Sequence, residues 1–586
     1  MSRRTRRIVL RVAGGLALLV VIAGLVLAYE AFQARDALTR AEGQAADLRS
    51  HVAAGDVDAA RSNLAELKDS TREAESATDG PLWFAAAKTP LIGRNFEAVH
   101  EVSRVLRAIA NDGLSPLVAV ADQVNADAFS PRNGRIDISA IRELSPSLQT
   151  AERALSRGGR ELEAIDADSL LGPLQRPVAD VQAKVEDARS TVVAGSKAAR
   201  LIPDMLGDGG RRTYVLAFQN NAEIRSTGGL PGAFAILRAN DGRIRLGAQG
   251  AGSDFPFFRN LPIKPTADEQ RLYSILLTGY WADTTLTPDF PRSAEIMRAM
   301  VRVERRQKTD GVISIDPVAL SYILEATGPV KLEDGTSLTS GNAVKKLLND
   351  VYLEIRDDSA QDAYFADAAR RVFRAVVSGS GGSKALLSSM AKAVGENRIL
   401  IESARGAEQR ILESSRIAGA LPGDRGSTPH LGIYYNDATQ AKLQYYLRKR
   451  TTMKATTCTR DGAQSLTSTT RLRSVAPKNA RTLPGSIVGP GTGEKRGSFR
   501  MVMSFYAPHG GLVNRLEVDG EEQPLNRFEH DGINVVSMPV LLAPGQEVTV
   551  KASMFTGKDQ RDDAVFATTP GIEATPNNVT VPSACD

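Results

Sequence analysis

The segment NNAEIRSTGGLPG, residues 220–232, connects two short apolar runs at residues 214–218 and 233–237. Each run has the length and composition of a buried β-strand, which predicts a loop between two strands. The loop carries two amides, a carboxylate, a guanidinium, two hydroxyls and three glycines, more than a structural turn requires. Glycines let backbone N–H groups approach an anion, and an arginine can bind two of its oxygens at once. Two interpretations stay open: a site for a phosphate or sugar, or a long hairpin loop in which Arg225 and Glu223 pair only with each other.

Strands and helices are predicted to alternate beyond this loop. Residues 311–315 and 330–332 have strand composition, and helices are predicted over residues 317–324, 341–352 and 361–377. Such alternation is typical of layered α/β or α+β domains. We therefore predict one α/β layered domain over residues 206–428, within an α+β multidomain chain.

The N-terminal residues predict a membrane anchor. Residues 12–29 contain no charged side chain, and five arginines precede them within residues 1–11. Eighteen apolar residues are enough to span a bilayer, and a basic flank stays in the cytoplasm. We predict a cytoplasmic tail at 1–11, a single transmembrane helix at 12–29 and a chain whose bulk is extracytoplasmic on the cell membrane. A cleaved signal peptide is the alternative, since Val26-Leu27-Ala28 fits a cleavage site.

A helical stalk is predicted over residues 30–205. Apolar residues recur there at alternating spacings of four and three, as in a heptad seam: Ala34, Leu38, Ala41, Ala45, Leu48 and Val52. Gly55 breaks this helix and Asp56 can cap the next one, which predicts an antiparallel hairpin. Further helices are predicted at about residues 96–125, 138–156 and 173–203. The segment is either an intramolecular bundle or a stalk that forms a homodimer through a coiled coil.

Residues 429–586 are predicted to form a β-sandwich with a binding or spacer role. Turn pairs such as Asp519-Gly520 and Pro544-Gly545 separate short strands predicted at residues 431–435, 443–447, 466–472, 499–506, 513–518 and 548–554. The chain has two cysteines, Cys458 and Cys585. In an oxidising compartment we expect this pair to form a disulfide.

Composition excludes some classes of function. The formal net charge is +5 over 586 residues, and several of the basic residues lie in the N-terminal tail. Without a basic stripe we expect no nucleic-acid partner. The five histidines and two cysteines do not have the spacing of a zinc site.

Three segments carry a resemblance to a known family: residues 220–237, 310–330 and 434–446. In order and spacing they resemble an uncharacterised bacterial family of membrane-anchored proteins, domain of unknown function 4012, over roughly residues 205–450. Membership of this family implies no particular activity.

The same domain is more remotely similar to the LytR-CpsA-Psr cell-wall ligases. A strand and helix at residues 313–324, a glycine turn at 328–330, a helix at 341–352 and an arginine-bearing segment at 356–374 follow the order of those enzymes. The ligases move a glycopolymer from a polyprenyl-pyrophosphate carrier onto a wall polymer. This resemblance implies an envelope protein that binds, or also transfers as a phosphotransferase or ligase, a polyprenyl-linked or phosphorylated glycopolymer. The alternative is a non-catalytic scaffold of an export or wall-assembly complex.

The resemblance also selects candidate site residues. A pyrophosphate leaving group gains negative charge, which arginines and a divalent metal such as Mg²⁺ can neutralise. The phosphate-binding candidates are Arg225, Arg356, Arg370 and Arg371, and the loop candidates are Asn220, Asn221, Glu223, Gly228 and Gly229. The catalytic candidates are Asp254 and Asp310. The ligases have an aspartate soon after their arginine, where this chain has Ser226-Thr227, so Glu223 is the candidate metal ligand.

Each candidate also has a structural interpretation. Arg370 and Arg371 fit a solvated helix face, and Asp310 before Gly311 fits a turn. Asp254 is followed by the aromatic residues of segment 255–258, which could line a lipid or sugar groove or anchor a long loop. We expect a cleft in the irregular segment between the strands.

Overall fold

The computed structural model describes residues 3–90, 92–120, 131, 134–380, 382–489, 495–574 and 576–585, with the side chains of residues 3–10, 12–17 and 53 left out. The chain divides into two compact units. The first unit is residues 1–128 with 137–204, and the second is residues 129–136 with 205–586. The stalk predicted to end at 205 thus ends at the unit boundary. Both sides of the predicted boundary between 428 and 429 belong to the second unit.

The first unit is helical. Its helices are α1 Arg3–Ala54, α2 Val57–Thr78, α3 Pro81–Ala87, α4 Gly93–Ala108, α5 Ser115–Ala119, α6 Ile138–Glu163 and α7 Gly172–Met205. A π-helical segment, Ile109–Leu114, joins α4 to α5. The helix predicted at 96–125 therefore begins earlier, and its residues 121–125 lie outside the described residues. The other predicted helices are present and slightly longer.

Helix α1 continues from the apolar N-terminal run into the helical bundle. Its segment Leu18–Val52 is long and apolar enough to cross a membrane, as a signal sequence near an N-terminus also would be. Gly55, with a φ of +78°, ends α1, and the Asp56 carboxylate accepts a hydrogen bond from Ala59 N at 3.1 Å to begin α2. Leu48 is buried within the chain, whereas Val52 is exposed. Part of the heptad seam is therefore covered inside one chain.

The first half of the second unit is a mixed sheet covered by helices. Its strands are β1 Arg212–Asn220, β2 Leu230–Asn240, β3 Arg243–Ala251, β4 Gly311–Ile315, β5 Val330–Lys331, β6 Ser337–Leu338 and β7 Ile399–Ser403. Its helices are α8 Ala267–Tyr273, α9 Leu276–Gly279, α10 Phe290–Glu304, α11 Pro317–Thr327, α12 Ala343–Lys345, α13 Val351–Glu354, α14 Asp358–Val377, α15 Ser383–Gly395 and α16 Gly406–Glu413. The main sheet has the order β3-β2-β1-β4-β7, and only β1 and β4 pair in parallel.

The two faces of this sheet have separate hydrophobic cores. On one face, Val215, Phe234 and Val312 pack with α10 and Trp281. On the other face, Ile315 and Ile399 pack with α11, α14 and α15. Because strand side chains alternate between the two faces, a strand that is buried on both faces is apolar at successive residues. This explains why short continuous apolar runs form the sheet.

The second half contains two further sheets. Their strands are β8 His430–Asp437, β9 Leu447–Cys458, β10 Gln464–Ser474, β11 Phe499–Tyr506, β12 Leu512–Val518, β13 Glu521–Glu522, β14 Arg527–His530, β15 Ile533–Leu542, β16 Glu547–Phe555, β17 Ala564–Thr568 and β18 Asn578–Val581, with a short helix α17 at Gly485–Val488. One sheet has the order β14-β15-β11-β8-β17-β18 and the other β13-β12-β16-β10-β9. The strand predicted at 443–447 is wrong, because residues Leu443–Tyr446 form a 3₁₀ turn.

One hydrophobic cluster joins the two halves of the second unit. It contains Ile433 of β8 and Val550 of β16, from the two sheets, together with Ile224 of the 220–232 loop and Tyr352 of α13. A continuous core of this kind explains why residues on both sides of position 428 form one compact unit. The predicted disulfide between Cys458 and Cys585 is confirmed, and it attaches the C-terminal residues to the end of β9.

Candidate functional site

The loop between β1 and β2 is buried rather than open to solvent. Asn221, Arg225, Ser226 and Thr227 are all buried. Its ends are closed by backbone hydrogen bonds from Glu223 N to Asn220 O and from Leu230 N to Glu223 O, both at 3.0 Å. These candidate phosphate ligands are therefore shielded from solvent in this structure.

Arg225 extends its guanidinium toward two distant acidic residues. Its Nη2 donates to Asp283 Oδ1 at 3.0 Å, and its Nη1 donates to the backbone oxygen of Asp437 at 3.3 Å. The same Nη1 lies 3.9 Å from the Asp437 carboxylate. The fork expected to hold a phosphate is thus occupied by Asp283, which comes before α10, and by the last residue of β8.

Glu223 has a different partner from the one that the sequence suggested. Its carboxylate lies 3.3 Å from Lys442 Nζ and accepts a hydrogen bond from Asn220 Nδ2 at 3.3 Å. Lys442 Nζ also lies 4.7 Å from the centre of the Tyr352 ring, and Tyr352 Oη accepts a hydrogen bond from Asn220 Nδ2. Two separate ion pairs, Arg225–Asp283 and Glu223–Lys442, therefore replace the Arg225–Glu223 pair that one of the two interpretations of the loop assumed.

Strand β8 pairs with the loop through both backbone and side chains. Ser226 N donates to Asn436 Oδ1 at 3.0 Å, and Asn436 Nδ2 donates to Ser226 Oγ at 3.0 Å. Asp437 N donates to Ile224 O at 2.8 Å. Thr569 Oγ1 donates to the backbone oxygen of Ser226. These bonds satisfy loop groups that a ligand would otherwise have to satisfy.

The Asp437 carboxylate is held in this buried junction by several donors. Burial raises the pKa of Asp437, while Arg225 opposes that rise. Its oxygens accept hydrogen bonds from Thr439 N at 3.0 Å and from Gln440 N at 2.8 Å, and also from the Gln444 side chain. Such bonds offset the cost of removing a carboxylate from water.

The loop glycines allow close approach of two chain segments. A Cβ on Gly229 would lie 2.3 Å from the backbone of Asn220, and Gly228 has a φ of +137°. Gly229 N donates to Gln219 Oε1 at 2.7 Å. Within the described structure these glycines are therefore explained by packing of the loop on its own strand.

A second buried ion pair lies beside the loop. Asp316 accepts hydrogen bonds from Asn221 Nδ2 at 3.1 Å, from Arg398 Nη1 at 2.8 Å and from Ala319 N at 2.7 Å, the last of these capping α11. Arg398 also donates to the backbone oxygen of Gly571 at 2.8 Å. The Asp316-Pro317 pair indicates the helix start in the sequence, but no sequence pattern indicates its pairing with Arg398.

A small polar cavity of about 10 Å³ lies under the loop. Its lining includes Asn221, Gln444 and Lys449, and Asn221 Oδ1 and Gln444 Oε1 have no hydrogen-bond partner. Burial lowers the pKa of Lys449 to about 8. A cavity of this size holds about one water molecule, which is far less than a pyrophosphate needs.

The two aspartate candidates have ion-pair partners other than Arg225. Asp254 forms an exposed ion pair with Arg305 at 2.7 Å. Asp310 accepts a hydrogen bond from Thr213 N at 2.8 Å and lies 3.8 Å from the buried Arg212.

The remaining candidate arginines lie on or beside α14. Arg370 and Arg371 both pair with Asp367 of the same helix, at 3.3 and 3.2 Å. Arg356 is exposed before α14. Arg225, Asp254, Asp310, Arg370 and Arg371 thus each form an ion pair with a residue outside the candidate set.

Among the described residues, no clustered set of acidic, histidine or cysteine side chains is available to a metal ion. No group of three or more histidine, cysteine, aspartate or glutamate side chains within the described ranges could hold one. Glu223, the candidate ligand, instead pairs with Lys442.

The aromatic segment after Asp254 is a structural anchor. Phe255 stacks on Trp281 with ring centres 4.1 Å apart, and both rings are buried. The Trp281 indole N–H donates to Pro231 O at 2.8 Å, at the end of the loop. Phe257 and Tyr280 are exposed nearby. Of the two interpretations of segment 255–258, the stacked and buried Phe255 fits the loop anchor.

Comparison with known proteins finds one family similar to part of the chain. Residues 209–352 match the model of DUF4012, a family of proteins of unknown function. The matched segment begins before β1, includes the whole buried loop and ends at Tyr352. No curated protein and no solved structure is significantly similar to the chain.

Proposed function

We propose that this protein is a non-catalytic scaffold of the cell envelope, anchored in the membrane by α1, with its bulk outside the cytoplasm as part of an export or wall-assembly complex. Of the two functions that the sequence suggests, this is the one that the site geometry supports better. The observation that carries the proposal is the buried Arg225–Asp283 ion pair.

Arg225 is the residue on which a phosphate-binding function depends most. Its side chain is 7% exposed, and its partner Asp283 is 13% exposed. For a pyrophosphate to replace Asp283, the ligand would have to enter a packed junction and leave a buried carboxylate without its cation. Leaving a buried charge unpaired costs several kcal/mol. The geometry therefore favours a structural role for Arg225, which joins the loop to residue 283 and to β8.

A transfer reaction would also need a second cation near the first. Electrostatic catalysis requires donors already arranged around the position where charge develops. Arg370 and Arg371 pair with Asp367, and Arg356 is exposed on its own. None of these arginines is seen to share a partner with Arg225. A scaffold has no such requirement, and the continuous core of the second unit suits a rigid platform.

The extracytoplasmic location in this proposal has two sources of support. The arginines before residue 12 favour a cytoplasmic N-terminus. The disulfide between Cys458 and Cys585 favours an oxidising compartment for the second unit, because disulfides are rare in the cytosol.

Ligand binding by the full-length chain tests the proposal. The chain in lipid nanodiscs would be titrated with polyprenyl pyrophosphate, and with polyprenyl monophosphate for comparison. The variants are Arg225→Lys and Glu223→Gln, with exposed Arg302→Gln on α10 as the matched control. We expect no pyrophosphate-dependent binding. We also expect a lower unfolding temperature for Arg225→Lys, because lysine cannot bond Asp283 and the Asp437 backbone together.

One result would contradict the scaffold proposal. The parent chain would bind pyrophosphate saturably, and Arg225→Lys would weaken that binding tenfold or more, which is about 1.4 kcal/mol. The Arg225→Lys protein would at the same time be as stable as the parent chain. That outcome would return Arg225 to a binding site.

A further inference from the structure

The exposed apolar side chains of the first unit are concentrated at one place. Beyond α1, the described part of this unit has four clearly exposed large apolar residues. We call them the basal patch: Leu82, Phe84, Ile92 and Leu171. Their exposed fractions are between 38 and 55%. Isolated exposed apolar residues need no explanation, but a group that converges from separate segments does.

Two of these residues, Leu82 and Phe84 on α3, lie beside the point where α1 leaves its apolar run. Helices α1 and α2 are antiparallel, as the Arg40–Glu73 ion pair indicates. At the end of α2 the chain returns to the start of the bundle, where a Cβ on Gly80 would lie 3.4 Å from Glu30 Oε1. Glu30 is the first charged residue after the uncharged run 12–29. Helix α3, with Leu82 and Phe84, begins immediately after Gly80.

The turn between α6 and α7 reaches the same end of the bundle. Leu171 N donates to Asn95 Oδ1 at 2.8 Å, and Arg94 Nη1 donates to Ser169 O at 3.2 Å. Asn95 and Arg94 lie in the first turn of α4, next to Ile92. Helix α7 then runs beside α1, with an ion pair between Lys184 and Glu42. Leu171 therefore lies at the same end of the helical bundle, level with Ile92 along the bundle axis.

The neighbours of the basal patch suit a lipid headgroup region. Tyr29 and Phe32 of α1 are 62 and 65% exposed at the same height. Aromatic side chains are enriched where a membrane protein crosses the interface. Lys88 and Arg94 are exposed beside the patch, and such cations are attracted to anionic lipids.

We propose that the basal patch inserts into the surface of the membrane that α1 crosses. This inference rests on the proposed membrane anchor. The occupant is the lipid bilayer, because the patch continues the apolar surface of α1 at the first charged residue beyond the span. Shallow burial of apolar side chains with cations at their edge is how interfacial segments bind membranes. The bundle is thereby held at a fixed angle to the membrane by a second contact.

Spin-label accessibility on the full chain in nanodiscs tests this contact. The two native cysteines are bonded to each other, so one added cysteine gives a unique label. The variants are Phe84→Cys and Leu171→Cys. The matched control is Val52→Cys, which is similarly exposed at 51%. Val52 lies 22 residues beyond Glu30 on the same helix, about 33 Å away at 1.5 Å per residue.

For each label we compare the ratio of its accessibility to oxygen with its accessibility to a water-soluble nickel complex. We expect this ratio to be several-fold higher at residues 84 and 171 than at residue 52. Equal water-like accessibility at all three positions would overturn the proposal. Shielding of residues 84 and 171 from both reagents would indicate a protein partner or a second copy of the chain, and would overturn it too.

A second measurement does not need a label. Trp83 lies on α3 beside Phe84. Lipids brominated near the headgroup should quench part of the tryptophan fluorescence of the parent chain, and Trp83→Phe should lose that quenching. Flotation with lipid vesicles separates the two proposals. A chain that floats without quenching contradicts only the basal contact, whereas a chain that does not float contradicts the membrane anchor itself.

Discussion

The two single variants that each remove one partner of the Arg225–Asp283 ion pair should together destabilise the second unit more than the double variant does. The perturbations are Arg225→Met, Asp283→Leu and the double variant. Arg225→Met leaves two carboxylates, those of Asp283 and Asp437, without their cation. Asp283→Leu leaves Arg225 beside Asp437. The double variant leaves only Asp437, which keeps its bonds from Thr439 and Gln440.

The distances set the size of these effects. At 3.0 Å, with an effective dielectric constant of about 20, the attraction is roughly 332/(20 × 3.0), or about 5.5 kcal/mol. Desolvation of both groups cancels much of this attraction, so the net value of the pair is smaller. Breaking a buried pair costs about 3–5 kcal/mol in the free energy of unfolding. We expect Arg225→Met in that range, Asp283→Leu below it, and a coupling energy of roughly 0.5–3 kcal/mol in the double variant.

Tryptophan fluorescence can follow the second unit alone. The chain has two tryptophans, of which Trp83 lies in the first unit and Trp281 in the second. In a Trp83→Phe background, Trp281 reports urea unfolding beside the loop, since it bonds to Pro231. The matched control is Arg356→Met, which removes an exposed arginine of the same unit and should change stability by no more than about 0.5 kcal/mol.

Two results would refute this reasoning. The first is an Arg225→Met protein as stable as Arg356→Met, which would mean that the buried guanidinium has no structural role. The second is a double variant whose destabilisation equals the sum of the single variants, because additive effects would show that the two charges do not interact.

Two further predictions concern the disulfide and a buried acid. Replacing Cys458 and Cys585 by serine should lower the free energy of unfolding by up to about 5 kcal/mol in the chain-entropy model, since the bond spans 127 residues. Denaturation of the protein with and without reductant measures this difference. Free thiols in alkylated protein isolated without reductant would contradict the prediction. Burial raises the pKa of Asp289 to about 6, above the unfolded value of about 3.9. Because the folded state then holds this proton to a higher pH than the unfolded state, the free energy of unfolding should fall by up to about 3 kcal/mol as pH rises from about 4 to about 6. Asp289→Asn should remove that part of the pH dependence of the urea midpoint, and an unchanged dependence would show that the acid titrates normally.

Much of the local structure could be predicted because its causes are local. The break at Gly55 and the cap at Asp56 depend on backbone conformation and one side chain, and both are present. Strand β4 has the bounds predicted from its apolar run. The two cysteines left one intramolecular pairing, which is the observed disulfide.

Elements whose pattern fits two structures were missed or wrong. Residues 443–446 alternate like a strand but form a 3₁₀ turn, because a short apolar run does not distinguish the two. Strands β3 and β15 are among those that were not predicted. The sequence of β3 is rich in arginine and glycine, and it pairs only with β2 at the edge of its sheet. Helix α10 lies in a segment that we expected to be irregular.

The sequence by itself determined the resemblance of residues 209–352 to one family, the apolar N-terminal helix, the helical hairpin and the set of polar groups in the 220–232 loop. Only the tertiary structure decided which groups face the loop. Asp283 and Asp437 lie 58 and 212 residues from Arg225 along the chain, and folding brings both to its guanidinium. A loop rich in glycine, amides and arginine has the same composition whether it surrounds a phosphate or packs against a neighbouring strand. The difference lies in long-range contacts, which the spacing of residues does not encode.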